Sequence, residues 1–276
     1  MALLAIAAIW GATFVLVQDA VERTPPMLFL TMRFAIASVA MAGGLRRATK
    51  QEWSVGALLG CVLFAGYALQ TVGLQYTSAS NAGFLTGLFV VFTPIIGALV
   101  VRALPSPAAT AGVVLATAGM ALLTMPAGLS IGKGDALEIL TAVSFATHIV
   151  LTGLLARGLS ALALAGIQIV VVTAISFGWS AIAEATLPAG DGLVWFVAAF
   201  TAVFATALAF FVQTRAQQQL PPVRTAVILA AEPAFAGIAG YVVAGDRFGV
   251  RGMMGAFMIL AGILVASLRP PEREQI

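Results

Sequence analysis

Charge is what this sequence has least of. Only 9% of its 276 residues are charged, where a soluble domain carries roughly 25%, while 61% are hydrophobic and the mean hydropathy is +1.05. A chain this poor in ionisable groups is solvated by lipid over much of its outer face. Cysteine is nearly absent: Cys61 is the only one, so an intrachain disulfide is excluded, and its apolar run makes the thiol a packing residue. The single histidine, His148, excludes a His-rich metal centre. No HExxH or GxxxxGK[ST] pattern occurs, so zinc hydrolysis and a nucleotide-driven pump lack their residues. No enzymatic activity and no cofactor are expected. The cations, net +3, are scattered at segment ends and form no patch, which argues against nucleic acid as a partner.

What the sequence does have is a series of apolar runs, each about twenty residues long and separated by charged or Pro/Gly punctuation. Ten spans are predicted, at 2–20, 27–45, 53–75, 81–101, 107–124, 134–156, 161–183, 192–214, 223–244 and 251–268. The fold class is an all-α polytopic membrane protein. Met1 to Gly11 lacks the cationic start of a cleavable signal and reads as the first helix. Counting cations at alternate connections gives the orientation. Arg46, Arg47, Lys50, Arg102, Arg157, Arg215, Arg224, Arg269 and Arg273 fall on one side; Arg23, Lys133, Arg247 and Arg251 fall on the other. The richer side is cytoplasmic, which puts both termini inside, with 269–276 as a cytoplasmic tail.

The chain repeats itself. A shift of 135 lays Trp10-Gly11-Ala12-Thr13 on Phe145-Ala146-Thr147-His148 and Arg33 on Gln168. A shift near 143 lays Trp53 within a residue of Trp195, Asn81 on Arg224, Gly112 on Gly255 and Gly119 on Gly262. The predicted units are 1–125 and 134–268. Five spans per unit is an odd number, so the second unit enters the membrane inverted, around a central cavity. Small residues at Gly56 and Gly60, Gly83 and Gly87, and the sevenfold pairs Gly112/Gly119 and Gly255/Gly262 mark close helix approaches. Spans five and ten carry almost no polar side chains and read as a scaffold or dimer face; a monomer is plausible.

Two runs are interrupted near the middle by proline, Thr93-Pro94 in span four and Glu232-Pro233 in span nine. They are predicted hinges at a transport site. Glu232 is either a solute-amine contact or proton carrier, or a structural carboxylate bonded to a neighbouring helix. Arg33, in span two, is expected to snorkel to the outer interface or to pair with an acid such as Asp19, with substrate binding as the other reading. His148 is a cross-helix structural bond or a proton group. Tyr67, Gln70 and Thr71 share a helix face. Asn81 opens span four, as a cavity residue or an N-cap. Trp10 and Thr13 share a face of span one; Phe84, Phe89 and Phe92 line span four; Phe210, Phe211 and Gln213 line span eight. The predicted cavity set is Trp10, Thr13, Tyr67, Gln70, Thr71, Asn81, Phe84, Phe92, His148, Phe210, Gln213 and Glu232, from spans one, three, four, six, eight and nine. Trp53 and Trp195 fit an interfacial belt.

These residues in this order resemble the drug/metabolite transporter superfamily, specifically its ten-helix exporters with two EamA-type repeats. The resemblance rests on Trp10-Gly11, Pro26 through Arg33-Phe34, Tyr76-Thr77-Ser78-Ala79-Ser80-Asn81-Ala82, Thr93-Pro94, Glu232-Pro233 and the glycines of spans five and ten. Within that superfamily the chain is similar to aromatic amino-acid exporters of the YddG kind. The resemblance implies alternating-access export of Phe, Tyr, Trp and related metabolites across a bacterial inner membrane, with a small-molecule substrate and membrane lipid as partners; broad drug export is the alternative. One departure stands out: Ala103-Leu104-Pro105 follows span four where many members carry an acid, and Asp246 holds the matching place in the second half.

Overall fold

In lipid each backbone N–H and C=O must be satisfied inside its own segment, so long apolar runs become helices. The computed structural model describes residues 1–102, 104–124, 132–184, 191–239 and 249–267, and every regular element among them is helical. In the first half, α1 (Ala2–Arg23), α2 (Pro26–Leu45) and α3 (Lys50–Gly73) are unbroken, the fourth run is split into α4 (Ala79–Gly87) and α5 (Phe89–Val101), and α6 (Pro107–Thr124) follows. The second half holds α7 (Lys133–Leu155) and α8 (Ala161–Ala183). A rod made of α9 (Gly192–Ala202), a π-helical turn (Val203–Leu208) and α10 (Ala209–Gln217) comes next, then the split pair α11 (Pro222–Leu229) and α12 (Glu232–Ala239), and finally α13 (Val250–Ser267).

Eight of these helices, with α4–α5 counted as one and α9–α10 as another, are long and apolar enough to cross a bilayer. The chain is a multi-pass helical membrane protein. The fifth and ninth predicted spans correspond to α6, a shorter apolar helix, and to the α11–α12 pair. The end of the ninth predicted span, together with Ala103, Asp246, Arg247 and the tail from 268, lies outside the described residues.

Local chemistry sets the helix ends. Pro26 and Pro222 start α2 and α11 at a position where a missing N–H costs nothing. Thr49 and Glu52 form a reciprocal capping box on α3. Ser78, Ser160 and Asp191 cap α4, α8 and α9; Asn81, a candidate N-cap by sequence, sits within the first turn of α4, its N–H donating to the Ser78 hydroxyl. The interruption of the fourth run falls at Leu88, one to two turns before Pro94, which stays within α5. The interruption of the ninth falls at Ala230–Ala231, just before Glu232-Pro233, where the proline ring can neither donate nor tolerate the carbonyl of the preceding turn.

The helices pack through small residues and a few polar ties. Gly112 lies against Gly262 and Gly119 against Gly255: a Cβ on Gly112 would stand 2.7 Å from the Gly262 carbonyl oxygen, and one on Gly119 2.6 Å from that of Gly255. This crosswise pairing makes α6 and α13 antiparallel. The two helices of α2 and α8 are antiparallel as well, tied by Thr31 to Ser176 at 3.2 Å and Ser38 to Thr173 at 3.0 Å. Glu184, at the end of α8, accepts the Met27 and Leu28 N–H groups at the start of α2. Glu52, at the start of α3, accepts the Ser160 N–H at the start of α8. Gly56 and Gly60 of α3 sit against Ile167 and Val171 of α8. Outward faces carry Met253, Phe257 and Leu264 on α13 and Phe177 and Ile182 on α8, as lipid contact requires. Trp53 and Trp195 are also exposed, and so is Cys61, which therefore lies on a face of α3 and not in the packed interior expected for it.

The Gly119 contact is with backbone, which cannot rotate away. Gly119→Val is expected to destabilise the purified protein by about 1–3 kcal/mol, read as a lower thermal midpoint in detergent. Gly43→Ala, where a Cβ meets nothing within 4 Å, is expected to leave the midpoint unchanged or raise it; equal losses would contradict the close α6–α13 approach.

Candidate functional site

Helical spacing aims four residues of α1 at one place: Trp10, Thr13, Phe14 and Val17 follow i, i+3, i+4, i+7. On α3 the stripe is Leu63, Tyr67, Gln70, Thr71 and Leu74. These two stripes face Phe145, His148 and Ile149 of α7, Phe210 and Gln213 of α10, Thr86 and Phe89 of the split fourth run, Leu229 and Glu232 at the α11–α12 break, and Arg33 of α2. They line a narrow cavity whose water-accessible volume is about 70 Å³.

Of the predicted set, Trp10, Thr13, Tyr67, Gln70, Thr71, His148, Phe210, Gln213 and Glu232 line this cavity, and Asn81, Phe84 and Phe92 do not. Phe84 is buried in, and Phe92 packed against, the apolar cluster that holds Met120 and Ile259, because the break at Leu88 leaves Thr86 and Phe89 as the residues turned inward. Asn81 donates to Asp135 Oδ1 at 2.6 Å and to Thr77 Oγ1 at 3.1 Å, tying the α3–α4 connection to the start of α7.

Arg33 corrects the expectation made for it. It is 5% exposed and does not reach Asp19, which pairs instead with Arg23 at 3.2 Å. Its Nε donates to Thr206 Oγ1 at 2.7 Å, and its Nη2 donates to the Ala205 carbonyl at 3.2 Å and to the Tyr67 hydroxyl at 3.4 Å. The guanidinium carbon stands 5.0 Å from the Tyr67 ring centre. Thr206 and Ala205 belong to the π-helical turn, a winding that occurs often at functional sites. The same Ala205 carbonyl accepts Trp10 Nε1 at 2.9 Å, so one turn of the eighth run orients a ring of α1 and a cation of α2.

The walls are aromatic. Tyr67 meets Phe34, Phe145 and Phe210 edge-on with centroids 4.9, 5.4 and 6.0 Å apart, and Phe210 also meets Trp10 and His148, each at 5.9 Å. His148 Nε2 and Gln168 Oε1 are 2.6 Å apart, and Gln168 Nε2 donates back to the Leu164 carbonyl, so the imidazole is held by α8. Among the described residues Glu232 makes no hydrogen bond and no ion pair. Its position at the first turn of α12 lets the helix dipole offset part of its charge.

Sequence reasoning passed over Glu138. It is fully buried on α7, its Oε2 accepting Thr86 Oγ1 at 2.7 Å while Oε1 has no partner. An acid inside an apolar run was the signal available for it. Thr86 also accepts Gln70 Nε2 at 3.4 Å, which links this carboxyl to the cavity wall.

The described residues thus form a multi-pass helical bundle that encloses a charged, aromatic-walled cavity. The chain belongs to the EamA-like transporter family, whose profile matches residues 1–125 and 132–268. An uncharacterized transporter of Archaeoglobus fulgidus is 32% identical over 96% of this chain and 84% of its own length. The uncharacterized transporters YetK and YyaM of Bacillus subtilis are 26% and 24% identical, over 99% and 93% of this chain and 87% and 89% of theirs. A solved crystal structure at 20% identity superposes over 96% of this chain and 95% of that one with a TM-score of 0.79, a likeness of fold alone.

Thr86→Val would strip Glu138 of its one donor and is expected to cost about 1–3 kcal/mol, read by thermal unfolding. Adding Glu138→Leu to that variant removes both partners and is expected to recover most of the loss. A double variant less stable than either single change would contradict the pairing.

Proposed function

We propose that this protein exports amino acids, aromatic ones by preference, across a bacterial inner membrane. The observation that carries this reading is Glu232: a carboxylate at the break of the ninth apolar run, facing a cavity walled by Trp10, Tyr67, Phe145 and Phe210, with no hydrogen-bond partner among the described residues. Such a group is costly in a membrane and is kept where it has a ligand. A solute with an ammonium head and an aromatic body satisfies both the acid and the walls.

The route follows from the fold. The reading takes the chain as ten crossings in two units, 1–125 and 134–268, with both termini and the tail in the cytoplasm. Three features support an inverted relation between the units. Ser38 bonds to Thr173, its own counterpart under the shift of 135. Gly112/Gly262 and Gly119/Gly255 pair crosswise, as a two-fold axis in the membrane plane requires. The caps are also reciprocal between the units, Glu184 of the second on the start of α2 and Glu52 of the first on the start of α8. Alternating access then amounts to one unit rocking against the other. The split runs meet near the cavity, where Gly87 lies beside Pro233. Pro94 and Pro233 are the hinge residues in this account, with the bending itself placed at Leu88 and Ala230–Ala231.

Liposomes containing the purified protein and preloaded with radiolabelled phenylalanine test the reading. Protein-dependent efflux of phenylalanine, slowed about tenfold or more in a folded Glu232→Gln variant, is the expected result. Release of a lipophilic cation without phenylalanine would replace the reading with drug export.

A further inference from the structure

We propose that Arg33 is the carboxylate-binding residue of the cavity and Glu232 its ammonium-binding counterpart, so that the solute is held as a zwitterion. This rests on the transport reading above and deepens it by naming the charge pattern the site selects.

A guanidinium inside a membrane bundle is normally matched by an acid. Arg33 is buried, yet its three bonded acceptors, Thr206 Oγ1, the Ala205 carbonyl and the Tyr67 hydroxyl, are all neutral. It takes part in no salt bridge among the described residues. The nearest acid on α1 by sequence expectation, Asp19, is taken by Arg23. Nε and Nη2 are occupied, and Nη1 makes no hydrogen bond among the described residues. The side chain is therefore fixed in direction by the π-helical turn and by Tyr67, while its charge and one of its donors are left to the cavity it lines. A held guanidinium plane with free donors suits a carboxylate.

Glu232 presents the opposite charge to the same cavity, also without a partner among the described residues. The pair sums to zero, so a zwitterion leaves no charge uncompensated. A solute with only an amine strands Arg33, and one with only a carboxylate strands Glu232. Sites that hydrogen-bond a substrate group reject analogues lacking it far more strongly than apolar pockets reject a missing methylene. The device thus separates amino acids from lipophilic amines of the same shape, which an aromatic box with a lone acid would accept.

The test is equilibrium binding to the purified protein in lipid nanodiscs, measured calorimetrically with three solutes sharing one ring: phenylalanine, phenethylamine, which lacks the carboxylate, and hydrocinnamate, which lacks the amine. Leucine, isoamylamine and isocaproate form a parallel set. The wild type is expected to bind the zwitterion at least about tenfold more tightly than either analogue. Arg33→Gln is expected to erase the preference for phenylalanine over phenethylamine and keep that over hydrocinnamate; Glu232→Gln is expected to do the reverse, and Arg33→Lys to restore part of the first preference. Thr206→Val, which keeps the charge but removes a bond that aims it, shifts selectivity the same way by less and decides the matter if Arg33→Gln does not fold. Wild-type protein that binds phenethylamine as tightly as phenylalanine, or an Arg33→Gln variant that weakens all three alike, would overturn the assignment. The predicted pattern in the leucine set alone would keep the assignment and overturn the aromatic preference; binding of neither set would overturn both.

Discussion

The constraint on which this structure depends is the cost of charge in lipid. Nearly every ionisable side chain is pushed to the ends of helices, where it caps a neighbour or meets water: Glu184 on α2, Glu52 on α8, Asp135 on the α3–α4 connection. Three described charged residues escape that rule: Glu138, buried against Thr86, and Arg33 and Glu232, which face one cavity. With an effective interior dielectric well below that of water, two such charges gain more from a matching solute than they would at a surface.

In the proposed site, the two charges need a frame that holds them without neutralising them. Arg33 is held by a π-helical turn whose carbonyl also fixes Trp10, so the orientation of the cation and of the wall share one support. Glu232 stands where the ninth run breaks, at a proline that cannot continue the preceding turn. The antiparallel pairs α2–α8 and α6–α13 form the rest of the frame, brought to backbone contact by glycines in the second case and tied by hydroxyls in the first.

The helical runs were legible in the sequence because lipid imposes both their length and their apolarity, and the described helices begin and end within a few residues of the predicted runs. Glu232 was legible for the converse reason, as a charge in the middle of such a run. The stripe of Tyr67, Gln70 and Thr71 was legible from spacing alone. Arg33 was seen but misdirected: a flexible cation two turns into a helix can snorkel outward or turn inward, and only the carbonyl and hydroxyl of a distant π-helical turn decide which. That turn has no sequence signature. The break at Leu88 was hidden too, since a proline disturbs the turn before it and the packing of α4 and α5 decides where the chain yields. Phe84 and Phe92 fell out of the cavity because of that break, and Asn81 because Asp135, far away in sequence, offers it a better partner.

The central claim is that one cavity presents two opposite, solute-matched charges. The most direct measurement is an experimental structure of the protein in a lipid nanodisc with phenylalanine bound. The account predicts the ammonium group at Glu232, the carboxylate at Arg33 and the ring among Trp10, Tyr67 and Phe210. A direct Arg33–Glu232 ion pair with the solute elsewhere would contradict it.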